Sequence, residues 1–195
     1  MMKALVVAYD LPPLLRAQAI QVGRLLRYLP VEHRLYVVTA EDETCTRDAR
    51  FYEGLEAKFA DTIKARFRRR FMGKVFTKIF PVLFEIPDIF LYWHLKAYVK
   101  ILKRWGREKF DCIMTFPYPF SSNVLGLLLK RRFKTKWITF FSDPWAENPH
   151  FGYKGIAKKI NLRLEAAVMR SSDMIVFASP EMRALYIKKY PQLRI

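Results

Sequence analysis

The sequence predicts an α/β domain built on an open, doubly wound parallel sheet. Short apolar segments alternate along the chain with longer segments of helical periodicity. The apolar segments are nearly continuous rather than alternating with polar residues, which is typical of strands buried on both faces of a parallel sheet. Of the 195 residues 52% are hydrophobic, so the chain has enough apolar surface to bury a substantial core.

The individual elements follow from these patterns in chain order. Strands are predicted over residues 3–9, 35–39, 110–116, 136–141 and 173–178. Helices are predicted over residues 16–29, 88–105, 121–132, 154–171 and 179–190. The expected N-caps are Asp88 after Pro87, Ser121 or Ser122, and Ser179 before Pro180. Ligands of such sheets bind at the carboxyl ends of the strands, which nominates the loops at 10–18, 40–48, 117–123, 142–150 and 179–181.

Metal-binding, disulfide-rich and membrane-spanning proteins are disfavoured by the composition. Cys45 and Cys112 are too few for a disulfide framework or a four-ligand zinc site. The three histidines, His33, His94 and His150, have no metal-ligand spacing, so no metal site is expected. No apolar segment is long enough for a signal peptide or a membrane-spanning helix, so a reducing cytoplasm is the expected compartment.

The formal net charge of +17 suggests an anionic partner, and much of it lies in a basic amphipathic insertion at about residues 50–86. Within this insertion apolar residues recur every four positions between lysines and arginines, which predicts an amphipathic helix over residues 63–80. The recurring apolar residues are Ile63, Phe67, Phe71, Val75 and Ile79.

Two interpretations of this helix remain open. Its phenylalanines pack on the core while its basic side is solvated, or the helix lies on an anionic membrane with the phenylalanines in the headgroup boundary. Nucleic acid is a third choice, because no RNA-recognition, zinc-finger or KH motif accompanies the charge. The residues assigned to membrane binding are Arg66, Phe67, Arg69, Arg70, Phe71, Lys74 and Phe76.

The loop after the first strand has no glycine before Gly23, so neither a dinucleotide-binding motif nor a P-loop is present. The loop that begins with Ser142 is more distinctive. Asp143 follows a strand directly, where a carboxylate can orient or deprotonate a substrate hydroxyl, and Trp145 can stack on a sugar ring. In the alternative interpretation, Asp143 and Pro144 simply begin a helical turn.

Other polar residues are weaker candidates. Ser121 and Ser122 begin a helix, either as an anion site or, in the favoured interpretation, as ordinary N-caps. His150 shares a loop with Asp143 and is a second candidate for proton transfer. Glu165 is interpreted as an exposed helix residue rather than a catalytic one.

Several stretches resemble family 4 glycosyltransferases of the GT-B fold. The opening strand, Pro12-Pro13 and the helix up to Pro30 look like the start of that family. The run from Phe110 through Ser121-Ser122 to Asp143-Pro144-Trp145 resembles a subgroup in which a strand ends in Asp-Pro-Trp. Residues 165–176 are similar to the stretch before the last strand of the family's N-terminal domain.

The resemblance implies a Rossmann-like doubly wound parallel sheet that forms the N-terminal half of a GT-B fold. Residues 1–195 are then a single domain, and the C-terminal domain that binds the donor is absent, so the isolated chain is expected to be inactive. In the family, the second domain grips the nucleotide-sugar donor. No cofactor is therefore expected in this domain, and the nucleotide-sugar is expected for the full-length enzyme.

The function implied is that of the acceptor-binding domain of a retaining glycosyltransferase, which transfers a sugar from a nucleotide-sugar to a cell-envelope polysaccharide or a lipid-linked glycan. Asp143 is expected to orient the acceptor hydroxyl, and the family's first-loop glycines are missing, so Arg16 is expected to supply a positive group. The residues expected to bind substrate are Asp10, Pro13, Arg16, Gln18, Ser121, Ser122, Trp145 and His150.

The expected partners are a glycan or lipid-linked acceptor, an anionic membrane surface and the missing C-terminal domain, with the protein peripheral to the inner leaflet of the cell membrane. The alternative function is a non-catalytic basic α/β module that binds anionic membrane or nucleic acid.

Overall fold

Six parallel strands form one sheet in the computed structural model, which describes residues 1–41, 45–66 and 86–192. The strands are β1 (Lys3–Ala8), β2 (Arg34–Glu41), β3 (Phe59–Arg66), β4 (Cys112–Phe116), β5 (Lys136–Phe141) and β6 (Met174–Phe177). Their order is β3-β2-β1-β4-β5-β6, and every pairing between neighbours is parallel. The predicted Rossmann-like, doubly wound α/β sheet is confirmed.

Five α-helices lie between the strands or after the last one in the described ranges. They are α1 (Ala17–Arg27), α2 (Leu91–Trp105), α3 (Ser121–Phe133), α4 (Gly155–Ser171) and α5 (Pro180–Lys189). The predicted helices over residues 16–29, 88–105, 121–132, 154–171 and 179–190 are confirmed within a few residues, and Ser179 caps α5 by accepting a hydrogen bond from the Met182 amide at 3.2 Å. Two short 3-10 turns, Ala49–Phe51 and Glu56–Lys58, precede β3. None of the helices in the described ranges has the length and apolar composition needed to cross a bilayer.

The prediction of a helix beginning at Ile63 is wrong, because residues 63–66 belong to β3. Ile63 and Ala65 are buried and pair with Val38 and Ala40 of β2, whereas Lys64 and Arg66 are exposed. A spacing of four residues is compatible with the strand period of two as well as with one helical turn, so the spacing does not separate the two. The rest of the predicted helix lies outside the described residues.

Arg66, one of the residues assigned to membrane binding, belongs to this strand as well. Arg66 lies at the end of an edge strand, where its Nε donates to Glu41 Oε2 at 2.8 Å. The other assigned residues lie outside the described residues: Phe67, Arg69, Arg70, Phe71, Lys74 and Phe76.

The core has two parts, one on each face of the sheet. One face packs against α2, α3, α4 and α5, with Trp93 and Trp137 fully buried in it. At Gly126 of α3, a Cβ atom would lie 2.6 Å from the Trp137 ring, so the close approach of α3 to β5 requires glycine. The opposite face packs against α1 through Val22 and Leu26.

Candidate acceptor cleft

The carboxyl edge of the sheet has a crevice at the point where the strand order reverses. β1 lies between β2 and β4, so the loops that follow β1 and β4 leave the sheet toward opposite faces. The Gln18 side chain spans this crevice, because its Nε2 donates to the carbonyl oxygen of Pro117 at 3.0 Å. Ligands of doubly wound sheets bind in this crevice, which makes it the candidate site.

The loop after β1 brings an ion pair to the crevice. Asp10 is buried, and its Oδ1 accepts from Arg16 Nη1 at 2.6 Å. The loop itself is held by the chain that follows β2, since the Pro13 carbonyl accepts from the Asp48 amide at 2.8 Å. Arg16 therefore offers a cation whose charge is already balanced by Asp10, which weakens its expected role as the positive group for a phosphate.

The loop after β5 places a carboxylate at the same edge. Asp143 is exposed, and its Oδ2 accepts from the Ser142 hydroxyl at 3.0 Å. The Ser142 hydroxyl also lies 3.5 Å from the Pro117 carbonyl oxygen, the same atom that accepts from Gln18. Of the predicted site residues, Gln18 of α1 contacts Pro117 directly and Asp143 is linked to it through Ser142. Asp10 and Arg16 lie in the loop that leads from β1 to α1.

Trp145 lies in the core and not in the cleft, so in this structure it cannot stack on a sugar ring. It is 0% exposed, its Nε1 donates to Asn161 Oδ1 at 3.0 Å, and its ring is parallel to that of Phe120 with centroids 5.3 Å apart. An indole has one polar atom and a large apolar surface, so burial with a hydrogen-bond partner is favourable. His150, in the same loop, is exposed, and its amide donates to Asn148 Oδ1 at 2.9 Å.

Glu165 is fully buried, contrary to the expectation of an exposed helix residue. Its Oε2 accepts from the Ala146 amide at 2.9 Å and from Lys189 Nζ at 3.0 Å. Burial raises the pKa of Glu165, and the Lys189 ammonium and the Ala146 amide oppose that shift. Tyr186 completes the cluster, since its hydroxyl accepts from the Trp145 amide at 3.1 Å. The cluster fixes the loop that presents Asp143.

Ser121 and Ser122 are also buried, and they do not line the crevice. The Ser121 hydroxyl donates to Asp88 Oδ1 at 2.7 Å, and the Ser121 amide donates to Asp88 Oδ2 at 2.8 Å. Asp88, which precedes α2, therefore caps α3, in place of the serine predicted to do so. Its carboxylate occupies the anion position at the start of α3, so this helix end is not open to a substrate phosphate.

The buried ring of His94 contacts the hydroxyls of both serines. Its Nδ1 lies 2.7 Å from the Ser121 hydroxyl and 3.0 Å from the Phe90 carbonyl oxygen, and its Nε2 lies 2.9 Å from the Ser122 hydroxyl. The Phe90 carbonyl can only accept and the Ser121 hydroxyl donates to Asp88, so Nδ1 carries the proton, while Nε2 accepts from Ser122 and the ring is neutral. Burial lowers the pKa of His94 to about 3 and raises that of Asp88. This cluster positions the loop after β4, and sequence reasoning missed it because its members are far apart in the chain.

A cavity of about 530 Å³ adjoins the crevice between α1 and the carboxyl ends of β4, β5 and β6. Gln18, Gln21 and Arg24 line it from α1. Phe116 and Phe140 line it from the sheet, with their rings stacked 4.3 Å apart. The cavity has the volume typical of small-molecule sites. Arg24 and Gln21 were not predicted, although their spacing from Gln18 along a helix places all three on one side of it.

The fold is that of a Rossmann-like α/β domain, and the candidate ligand site lies at its topological switch point. The family model of Glycosyltransferase Family 4 matches residues 18–194, so the chain belongs to that family. A search of curated proteins by sequence found no match.

Solved structures resemble the chain in fold. The N-terminal domain of trehalose-6-phosphate phosphatase from Candida albicans matches with a TM-score of 0.61 at 14% identity, covering 98% of this chain and 43% of that one. A UDP-N-acetylglucosamine 2-epimerase matches with a TM-score of 0.56 at 11% identity, covering 96% and 45%. UGT89C1 from Arabidopsis thaliana, complexed with UDP-L-rhamnose, matches with a TM-score of 0.51 at 12% identity, covering 98% and 47%. The chain therefore spans less than half the length of these structures and has the Rossmann-like fold of GT-B glycosyltransferases.

Proposed function

We propose that the chain is the acceptor-binding domain of a retaining glycosyltransferase, which transfers a sugar from a nucleotide-sugar to a cell-envelope polysaccharide or a lipid-linked glycan. Membership of Glycosyltransferase Family 4 supports the reaction class. The observation that carries the acceptor role is the meeting of Gln18, Ser142 and Asp143 around the Pro117 carbonyl at the switch point.

Asp143 is the residue proposed to orient the acceptor hydroxyl. Its carboxylate is exposed and accepts from the Ser142 hydroxyl, and the Glu165 cluster holds the backbone of the same loop at Ala146. A carboxylate at that position accepts a hydrogen bond from a sugar hydroxyl and takes its proton, while the hydroxyl oxygen bonds to the donor sugar and the bond from that sugar to the leaving phosphate breaks. Retaining transfer by same-face attack, with assistance from the leaving phosphate, needs no enzyme nucleophile. The donor nucleotide-sugar is proposed to bind a further domain of the full-length enzyme.

The Asp143→Asn variant of the full-length enzyme tests this proposal. With a nucleotide-sugar donor and a glycan acceptor, we expect kcat to fall by about 10²-fold or more, the usual contribution of a positioned proton acceptor. The matched control is Glu147→Gln, an exposed acid in the same loop, which should keep its turnover. Undiminished turnover in Asp143→Asn, with the same melting temperature as the parent enzyme, would refute the assigned role.

The outer side of α2 supports the proposed association with an anionic membrane. Tyr92, Leu95 and Val99 are 48%, 46% and 50% exposed, one helical turn apart from one another. Exposed Lys96 and Lys100 lie beside them, and the Lys96 ammonium sits 4.4 Å from the centroid of the Tyr92 ring. Apolar side chains beside lysines suit the boundary between acyl chains and anionic headgroups.

Cosedimentation with vesicles tests the membrane proposal. We expect binding to vesicles that contain anionic lipid and much weaker binding to neutral ones. The double variant Leu95→Glu, Val99→Glu should lose it, whereas Leu185→Glu, at an equally exposed leucine of α5, should not. Binding to nucleic acid with a steep salt dependence, and without lipid preference, would favour the alternative of a nucleic-acid-binding module.

A further inference from the structure

The cavity beside α1 has an apolar floor made by three adjacent strands. Phe116, Phe140 and Val176 line it, and Phe140 pairs with Val176 in register across β5 and β6. Thr115 pairs with Thr139, so Phe116 and Phe140 are the next residues of β4 and β5, and their rings stack. The three side chains form a row across the sheet, on the face that α1 covers.

The α1 side of the cavity is polar and cationic. Gln18, Gln21 and Arg24 lie along one side of the helix, about three residues apart. Arg24 is exposed, and no carboxylate among the described residues pairs with it. No acidic side chain lines the cavity in the described part of the chain either. The lining therefore complements a ligand that has an apolar body and an anionic group.

We call this cavity the groove, because its floor is a row of side chains that crosses three adjacent strands. The spacing of neighbouring strands places Phe116 and Val176 about 10 Å apart across the sheet. An apolar row of this length suits an extended hydrocarbon chain better than a single planar ring. Ser142, which holds Asp143, also lines the groove, so a ligand bound there would end beside the proposed acceptor site.

We propose that this groove binds the chain and the phosphate of an isoprenoid or alkyl phosphate. The hydrocarbon lies on the row of Phe116, Phe140 and Val176, and the phosphate accepts hydrogen bonds from Arg24 and Gln21. The ligand is the lipid carrier of the acceptor glycan. That last assignment rests on the proposed function, whereas binding of a lipid phosphate to the groove does not.

Calorimetric titration of this chain with farnesyl phosphate, below its micelle concentration, tests the inference. We expect saturable binding of one molecule per chain, and at least about tenfold weaker binding of farnesol, inorganic phosphate and phenyl phosphate. Arg24→Gln should weaken farnesyl phosphate binding by about tenfold or more, because it removes the charge-assisted hydrogen bonds. The matched control, Arg131→Gln, removes an exposed arginine from α3 on the other face and should leave the affinity unchanged.

Filling the groove is the second arm of the test. Ala178 is exposed and lines the groove, so Ala178→Phe should abolish binding while leaving the melting temperature near that of the parent. If that variant unfolds, Ala17→Phe, at the exposed first residue of α1, provides the same block.

Three results of the binding measurements would each overturn the inference: no saturable binding of farnesyl phosphate, equal affinity in Arg24→Gln, or equal affinity for phenyl phosphate. Dimerisation that Ala178→Phe abolishes would assign the groove to a second copy of the chain and would also overturn it. Absence of lipid binding, together with Asp143-dependent transfer to a soluble glycan by the full-length enzyme, would refute this inference alone. Lipid binding without any transfer would refute the proposed function alone.

Discussion

Acid should destabilise the protein through His94, the buried imidazole between Ser121 and Ser122. The folded protein holds this ring neutral with a pKa of about 3, because burial penalises its charged form. In the unfolded chain a histidine has a pKa of about 6.5. Between these two values the unfolded chain binds a proton that the folded protein does not, so the free energy of unfolding falls as the pH is lowered.

The magnitude follows from the size of that window. Each pH unit below about 6.5 costs about 1.36 kcal/mol for one group, so His94 should account for a loss of about 2.7 kcal/mol between neutral pH and pH ~4.5. The loss is complete near pH ~3, where the folded protein takes up the proton as well. Asp88 acts in the opposite direction, because its raised pKa favours the folded state in acid.

Urea unfolding at both pH values, in the parent and in His94→Gln, isolates this contribution. Glutamine does not titrate, so the variant should lose about 2–3 kcal/mol less than the parent on acidification. The contribution of Asp88 is largely common to both proteins and cancels in the comparison. His150→Gln, at an exposed histidine, should behave like the parent. Equal acid sensitivity in His94→Gln and the parent would refute the assignment of a buried neutral imidazole.

The other predictions concern the packing that supports the cleft. Glu165→Ala should lower the free energy of unfolding by about 3–5 kcal/mol, since it removes the buried partner of Lys189 and leaves the buried Ala146 amide without its acceptor. Glu147→Ala, which removes the exposed partner of the same lysine, should cost less than about 1 kcal/mol, and similar urea midpoints for the two variants would contradict the reasoning. Gly126→Ala should cost about 1–3 kcal/mol, because its Cβ would lie 2.6 Å from the Trp137 ring. An unchanged thermal midpoint would show that α3 can move away from β5.

The strand and helix pattern could be predicted because it depends on local periodicity. β1 and β4 are continuous apolar segments because their side chains are buried on both faces of the sheet. β3 was missed because its buried residues, Ile63 and Ala65, are followed by an apolar pattern with a spacing that fits either period. Pairing with β2, which no local pattern encodes, decides in favour of the strand.

The candidate site could be predicted only in part. The sequence places Asp143 at the end of a strand, and Asp143 is exposed at the carboxyl edge. Trp145, two residues further on, was assigned to substrate, yet it packs on Phe120 from the loop after β4. A tryptophan near a predicted site suits contact with a ligand and packing in the core equally well, so only the three-dimensional contacts distinguish the two roles.

By itself the sequence determined a doubly wound parallel sheet and the loops that gather at its carboxyl edge, because burial and periodicity act over neighbouring residues. The tertiary structure decided which polar groups at that edge remain available. Asp88 and Ser121 are 33 residues apart and satisfy one another inside the protein, whereas Gln18 and Asp143 face the crevice or the solvent. A polar group that hydrogen-bonds to a distant segment inside the protein is no longer available to a ligand. Its partner is brought to it only when the chain folds, so the sequence alone does not identify that partner.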